Sequence, residues 1–245
     1  MEWIDATLIS RKFWTKTLFS IEVEAEIPRY KAGQFAQLGM YVDGELIKRA
    51  YSFVNAPHSS CHEFYLVNVV GGQLSPQLAE IPIGSLLMMA DHAGGFFTLD
   101  EVPSSEHLLM LSTGTAVGPF LSILRDGSVW QKFSRVTLVQ GVRYNQDINY
   151  QSLLDEISGP HPYFQFIPLV TREESQSGIA GRIPNVIEAG LLERMIGVEL
   201  HPKRCQVMIC GNPEMVKETR DMLKARGFIR NLRRKPGQLT VENYW

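Results

Sequence analysis

Two short stretches of this sequence set glycines at the mouth of a helical segment, a pattern that lets a main chain approach a phosphate closely. One is Gly114-Thr115-Ala116-Val117-Gly118-Pro119 and the other is Gly71-Gly72-Gln73-Leu74-Ser75-Pro76. Each would offer an anion free N–H groups and the positive end of a helix dipole. The first is not the G-x-G-x-x-G fingerprint, because its second glycine comes four residues after the first. Taken alone, either stretch reads equally well as a plain strand-to-helix turn. Arg143 and Arg172 each close an apolar run, RVTLVQGVR and YFQFIPLVT, and Arg182 follows in SGIAGR. Guanidinium forks suit a phosphate, and these three could read the 2′-phosphate that separates NADPH from NADH. Singly they are surface arginines; their shared place at strand ends favours the phosphate.

In Arg49-Ala50-Tyr51-Ser52 the period of two puts Arg49 and Tyr51 on one face of a strand, a phosphate fork beside an aromatic plate. Cys210-Gly211-Asn212-Pro213 forms another strand-to-helix turn. A core thiol is the commoner fate of such a cysteine, and no base is in view to make it a nucleophile. His58, Cys61 and His62 lie close in sequence but lack a fourth metal ligand, so no metal is expected. One phosphate candidate in each half of the chain implies two nucleotides.

The elements that must position these residues follow two grammars. Up to about residue 100 the chain reads as short strands with period-two alternation: LFSIEVEAE, FAQLGMYV, IKRAYSFVN, EFYLVNVV and SLLMMADH. Turn signals at Ile27-Pro28, Asp43-Gly44 and Gly71-Gly72 separate them, with one brief helical stretch, SPQLAEI, which suggests a small antiparallel barrel. From Glu106 the strands become continuous apolar runs, HLLMLST, RVTLVQGVR, YFQFIPLVT and CQVMICGN. They alternate with the helical segments PFLSILRDG, SLLDEI, IPNVIEAGLLERM and PEMVKETRDMLKARG, the last opened by Pro213 and closed by Gly227. That alternation implies a parallel sheet with helices on both faces. The expected boundary lies at residues 98–104, dividing the chain into 1–100 and 101–245.

Composition is that of an ordinary soluble globular protein, with 44% hydrophobic and 20% charged residues. Net charge is −2, yet formal charge runs −6 over residues 1–106, −2 over 107–200 and +6 over 201–245. A basic end favours an acidic partner or a phosphate. Four acidic residues interrupt that segment and aromatics are sparse in it, which argues against a nucleic-acid binding module. Three cysteines without a C-x-x-C pair fit a reducing cytosol, and no run of ~18 apolar residues points to a membrane. The expectation is a soluble cytoplasmic protein and, with no dimerisation signal, a monomer.

RAYSFVNAP, GGQLSPQL, GTAVGPFLSIL, CGNPEMV and the ending ENYW, in this order and spacing, resemble the bacterial type of ferredoxin/flavodoxin–NADP⁺ reductase. The resemblance runs from about Gly33-Gln34-Phe35 to Trp245. It implies a two-domain fold, a six-stranded Greek-key antiparallel β-barrel for FAD followed by a parallel-sheet α/β domain for NADP(H), with the carboxyl-terminal residues returning to the flavin. It also implies an enzyme that moves hydride between NADPH and FAD and single electrons to or from a ferredoxin or flavodoxin.

Carried over by motif, Arg49 holds the FAD phosphates with Ala50 beside it on the FAD, Tyr51 stacks on the isoalloxazine, and Ser52 hydrogen-bonds near the flavin N5 atom. Tyr65, Leu66 and Val67 line the flavin, and Gly72, Gln73, Leu74 and Ser75 cap the pyrophosphate. Gly114 and Thr115 serve NADP(H), with Thr115 between the two cofactors. Arg143, Arg172 and Arg182 match the 2′-phosphate arginines, and Cys210-Gly211 the nicotinamide-side loop. Tyr244 shields the other flavin face and Trp245 covers the adenine. Ser52, Tyr51, Cys210 and Tyr244 would act at the reacting centre. Asn68, where threonine is expected, and Ala116, where glycine is frequent, depart from the family pattern. A shared fold does not fix the acceptor, so free flavin, a ferric chelate or an oxygenase is the alternative.

Overall fold

The computed structural model describes residues 2–176 and 179–244. One compact unit runs to Thr98 and also holds Gly118–Asp126; the other holds Leu99–Val117 and the chain from Gly127 onward.

In the first unit six strands pair antiparallel. They are β1 (Trp3–Phe13), β2 (Leu18–Glu24), β3 (Phe35–Val42), β4 (Glu45–Ser52), β5 (His62–Val67) and β6 (Leu86–Ala90), in the order β4-β3-β6-β1-β2-β5. An isolated antiparallel bridge between Phe53 and Phe64 joins the two ends of that order and closes the sheet. Alternate residues fill the interior: Leu8, Phe19, Ile21, Val23, Leu38, Phe64, Leu66 and Met89 are all fully or almost fully buried. Asp43 and Gly44, both at positive φ (51° and 83°), make the tight β3–β4 turn that the strand twist favours.

Strand β1 is absent from the runs singled out in the sequence. Its register against β2 shifts between Leu8 and Ser10, and such a bulge breaks the alternation that marks a strand. The short α1 (Ser75–Glu80) lies between β5 and β6 in the chain, and α2 (Gly118–Asp126) belongs to this unit. Asn55 ties α2 to the barrel. Its carbonyl accepts from the Ser122 hydroxyl (2.7 Å) and the Tyr30 hydroxyl (3.0 Å), and its Oδ1 accepts from the Glu63 N–H (3.0 Å). Its Nδ2 donates to the Cys61 carbonyl. Arg125 of α2 pairs with Glu63 at 2.8 Å.

In the second unit five strands run parallel: β7 (His107–Thr113), β8 (Arg135–Val142), β9 (Phe164–Val170), β10 (Cys205–Gly211) and β11 (Leu239–Asn243). Their order is β11-β10-β7-β8-β9. The helices are α3 (Val129–Lys132), α4 (Gln151–Ser158), α5 (Ile183–Glu188), α6 (Leu191–Ile196) and α7 (Pro213–Ala225). Leu109, Leu111, Val139, Ile167, Val207 and Ile209 of the sheet pack with Val186, Ile187, Leu192, Met215 and Leu223 of α5, α6 and α7. Leu108, Met110, Leu138 and Met208 are buried on the opposite face, which is why these runs are apolar throughout.

The stretch IPNVIEAGLLERM, expected as one helix, is two. Gly190 takes φ +64° and breaks the ladder between α5 and α6. Helix α7 matches its signals. Asn212 caps it by accepting from the N–H groups of Glu214 and Met215, and Gly227 at φ +87° ends it. The Phe228 N–H reaches back to the Leu223 carbonyl and the Gly227 N–H to that of Lys224, satisfying the last turn. Among the described residues no helix is long and apolar enough to cross a membrane.

Candidate nucleotide sites

In the barrel unit, β4 presents Arg49 and Tyr51 as the alternation requires. Arg49 is exposed and its Nη1 donates to the Lys48 carbonyl at 2.6 Å. Tyr51 is half-buried. Burial raises its phenol to about 12, and the Arg49 charge pulls the other way, so the ring stays neutral at physiological pH with the guanidinium close by. Ala50 between them is exposed, whereas Ser52 is 3% exposed.

On β5, Tyr65 is buried and Val67 half-buried. The Leu66 side chain belongs to the barrel core. In the glycine turn, Gly71 has φ +73° and a Cβ there would meet nothing within 4 Å. Gly72 has no such room, since a Cβ would lie 2.9 Å from the Val69 carbonyl oxygen. The Gly72 N–H donates to that same carbonyl, and Ser75 Oγ accepts from the Val69 N–H at 3.0 Å. Gln73 is exposed and Leu74 buried. The turn is therefore held by its own main chain and Ser75, with an open outer side.

In the α/β unit, Gly114 opens a single 3₁₀ turn (Gly114–Val117) after β7 with φ +55°, and a Cβ on it would also meet nothing within 4 Å. Thr115 within the turn is 7% exposed. Arg143 and Arg172 follow β8 and β9, are exposed, and are joined through main chain, the Arg172 N–H donating to the Arg143 carbonyl at 3.0 Å. Neither forms an ion pair among the described residues, so both forks are open to a phosphate. Arg182 differs: its Nη2 is 2.8 Å from Glu218 Oε2 of α7.

At the end of β10 the cysteine has the core setting that the sequence favours. Cys210 is fully buried, and its thiol is pushed well above the usual range by that burial and by Glu242. It supplies no thiolate. Gly211 is mandatory for packing, because at φ +149° a Cβ would sit 2.2 Å from Thr113 Oγ1. That same Oγ1 accepts from the Asn212 N–H at 2.8 Å. The Gly211 carbonyl accepts from the Tyr244 N–H at 3.1 Å, so the turn also fixes the main chain of half-buried Tyr244. Trp245 lies outside the described residues.

Two residues of this region were missed. Glu242 is the register partner of Cys210 on β11, and burial raises its carboxyl to about 7. Thr113 carries the turn. A polar residue in the short, weakly apolar LTVEN gave no signal, and β11 itself went unread. His62 Nε2 lies 3.0 Å from the Ala25 carbonyl.

The open outer side of the Gly71 turn, exposed Arg49 beside a neutral tyrosine, the Gly114 turn, and Arg143 and Arg172, without ion pairs among the described residues at the ends of β8 and β9, suit two phosphate-bearing nucleotides. Comparison with known proteins agrees. The model of the oxidoreductase FAD-binding domain matches residues 4–98 and that of the oxidoreductase NAD-binding domain matches residues 110–221. The chain is 43% identical over 246 residues to a flavodoxin/ferredoxin–NADP reductase of Escherichia coli K12, covering 100% of this chain and 99% of that one. It is 32% identical to a ferredoxin–NADP reductase of Pseudomonas aeruginosa, covering 96% and 95%. A crystal structure of a ferredoxin NADP⁺ reductase from Neisseria gonorrhoeae, with FAD and NADP bound, superposes with a TM-score of 0.94 at 32% identity, covering 99% of both chains.

Proposed function

The chain belongs to the flavodoxin/ferredoxin–NADP reductase family, and on that premise we propose that it passes hydride from NADPH to a bound FAD and then electrons, one at a time, to a ferredoxin or flavodoxin. The observation that carries this reading is the presence in one chain of two glycine turns of different setting, each suited to a phosphate. One is a glycine turn with an arginine–tyrosine strand on a barrel; the other is a glycine turn with an arginine pair on a parallel sheet.

FAD supplies the chemistry, taking electrons as a pair and releasing them singly. The residues supply binding and geometry. Arg49 and the Gly71–Ser75 turn hold the FAD phosphates, and Tyr51, an un-ionised ring, gives the isoalloxazine a plane to lie on. Ser52, Tyr65 and Val67 bound the same ligand, with Leu66 behind them. Arg143 and Arg172, joined by Arg182, hold the 2′-phosphate, so that NADPH is preferred over NADH. The Thr113–Gly211 contact keeps a side-chain-free main chain at the nicotinamide side, with Cys210 as inert wall. Tyr244 is the ring that gives way to nicotinamide, and Trp245 adds to FAD retention. Deleting both should loosen FAD and weaken discrimination against NADH; unchanged retention and kinetics would refute that gating role.

The test of the whole reading is spectroscopic. The purified protein should be yellow, and anaerobic NADPH should bleach it far better than NADH. A colourless protein that FAD does not reconstitute would overturn it. Reduction of ferredoxin, flavodoxin, free flavin and ferric chelates side by side identifies the acceptor, and a sedimentation measurement checks the monomer proposed here.

A further inference from the structure

Strand β8 buries a glutamine, Gln140, at 1% exposure in the run RVTLVQGVR. Its Nε2 donates to the Gly114 carbonyl at 3.2 Å, while its Oε1 has no hydrogen-bond partner among the described residues. Burying a carboxamide oxygen without a donor is unfavourable, and a methionine of similar length would avoid it. What the glutamine achieves is the one bond it makes.

That bond falls on the residue that opens the 3₁₀ turn, Gly114, held at φ +55° with open space beside its Cα. The Gly114 carbonyl and the Thr115 N–H belong to a single planar trans peptide and point in opposite directions. A carbonyl held toward Gln140 therefore sends the Thr115 N–H the other way. Thr115 stands in the first turn, where no earlier residue of the helix can accept from its N–H.

We propose that Gln140 is a positioning residue for dinucleotide binding: its side-chain amide fixes the Gly114–Thr115 peptide so that the Thr115 N–H is presented to a phosphate oxygen of NADP(H). This rests on the reading of the Gly114 turn as the dinucleotide cradle. A residue acting this way touches ground state and transition state alike, so it sets affinity and not the chemical step.

The experiment compares wild-type holoenzyme with Gln140→Met, using NADP⁺ calorimetry, NADPH steady-state kinetics and thermal unfolding. The expected result is a Kd for NADP⁺ and a KM for NADPH about 5–10-fold higher, the equivalent of one hydrogen bond to a ligand-bearing loop. The kcat at saturation should be unchanged and Tm not lowered, since the same substitution removes the orphaned oxygen. Unchanged Kd and KM would overturn the proposal. So would a lowered Tm with lost FAD, or failure to fold, because either makes Gln140 a structural residue. Gly114→Asn keeps the reading itself separable, since asparagine tolerates a positive φ and fills the open space. If it leaves NADP⁺ binding intact, the cradle reading fails; if it alone weakens binding, only the role of Gln140 fails.

Discussion

Cys210 and Glu242 are partners across β10 and β11, and burial drives both toward their neutral forms. For Glu242 the sign of the linkage is definite. Its folded value of about 7 lies above the ~4.3 of an unfolded chain, so its contribution to stability is fully present below about pH 4 and lost as pH rises through 7. Glu242→Gln should therefore match wild type in Tm near pH 4 and exceed it at pH 8, as thermal unfolding at both values will tell. An equal difference at the two pH values would mean the carboxyl titrates normally. The exposed arginines obey a different logic. In the proposed 2′-phosphate role, Arg143→Ala or Arg172→Ala would remove a charge-assisted contact worth about 1.5–3 kcal/mol. Either should lower kcat/KM for NADPH by roughly 10–100-fold and leave NADH nearly unaffected. Arg182, already paired with Glu218, should show a smaller effect in the same assay.

Among the elements, the segment between β4 and β5 depends on the Asn55 side chain, while α2 is held by the main-chain carbonyl of the same residue. Asn55→Ala deprives the Glu63 N–H and the Cys61 carbonyl of their partners at once, two buried or half-buried groups. Urea denaturation should show a loss of about 2–4 kcal/mol, and a loss under 0.5 would mean water replaces the amide. Asn55 sits inside RAYSFVNAP, and its hub role is invisible in one dimension because its partners Tyr30 and Ser122 are 25 and 67 residues away. The same contrast runs through the molecule. Helix α7 was legible to both ends because Pro213 and Gly227 act locally. Strands β7 to β10 announced themselves by unbroken apolar runs, and Arg49, Tyr51, Arg143 and Arg172 by standing at strand ends or on one face. What stayed hidden was whatever needed a partner strand to be seen: β1 with its bulge, short β11, Glu242 upon it, and Thr113 against Gly211.

For the whole molecule, the basic carboxyl-terminal segment is less positive in effect than its formal +6. Acidic residues outside the segment neutralise part of it: Arg204 pairs with Glu106, Arg226 with Glu193 and Arg233 with Glu101. Arg230, Arg234 and Lys235 remain exposed without ion pairs among the described residues, around the Leu232–Lys235 bridge. An acidic redox partner steered there should be reduced more slowly as salt rises, while dye reduction by NADPH changes little. Arg234→Glu with Lys235→Glu should abolish that salt slope; an unaltered slope would place docking elsewhere.

Strand β1 has its two neighbours at very different distances along the chain. It pairs with β2 some ten residues later, but Ile4 to Thr7 pair with β6 at Leu86–Met89. On the ribosome, the β1–β2 hairpin can close early, yet the other edge of β1 stays uncovered until about eighty further residues have been made. At ~5–20 residues per second that is a wait of several seconds with an open strand edge. A nascent chain halted between β5 and β6 is thus the form of this protein most exposed to mispairing, and the one a chaperone would be expected to find.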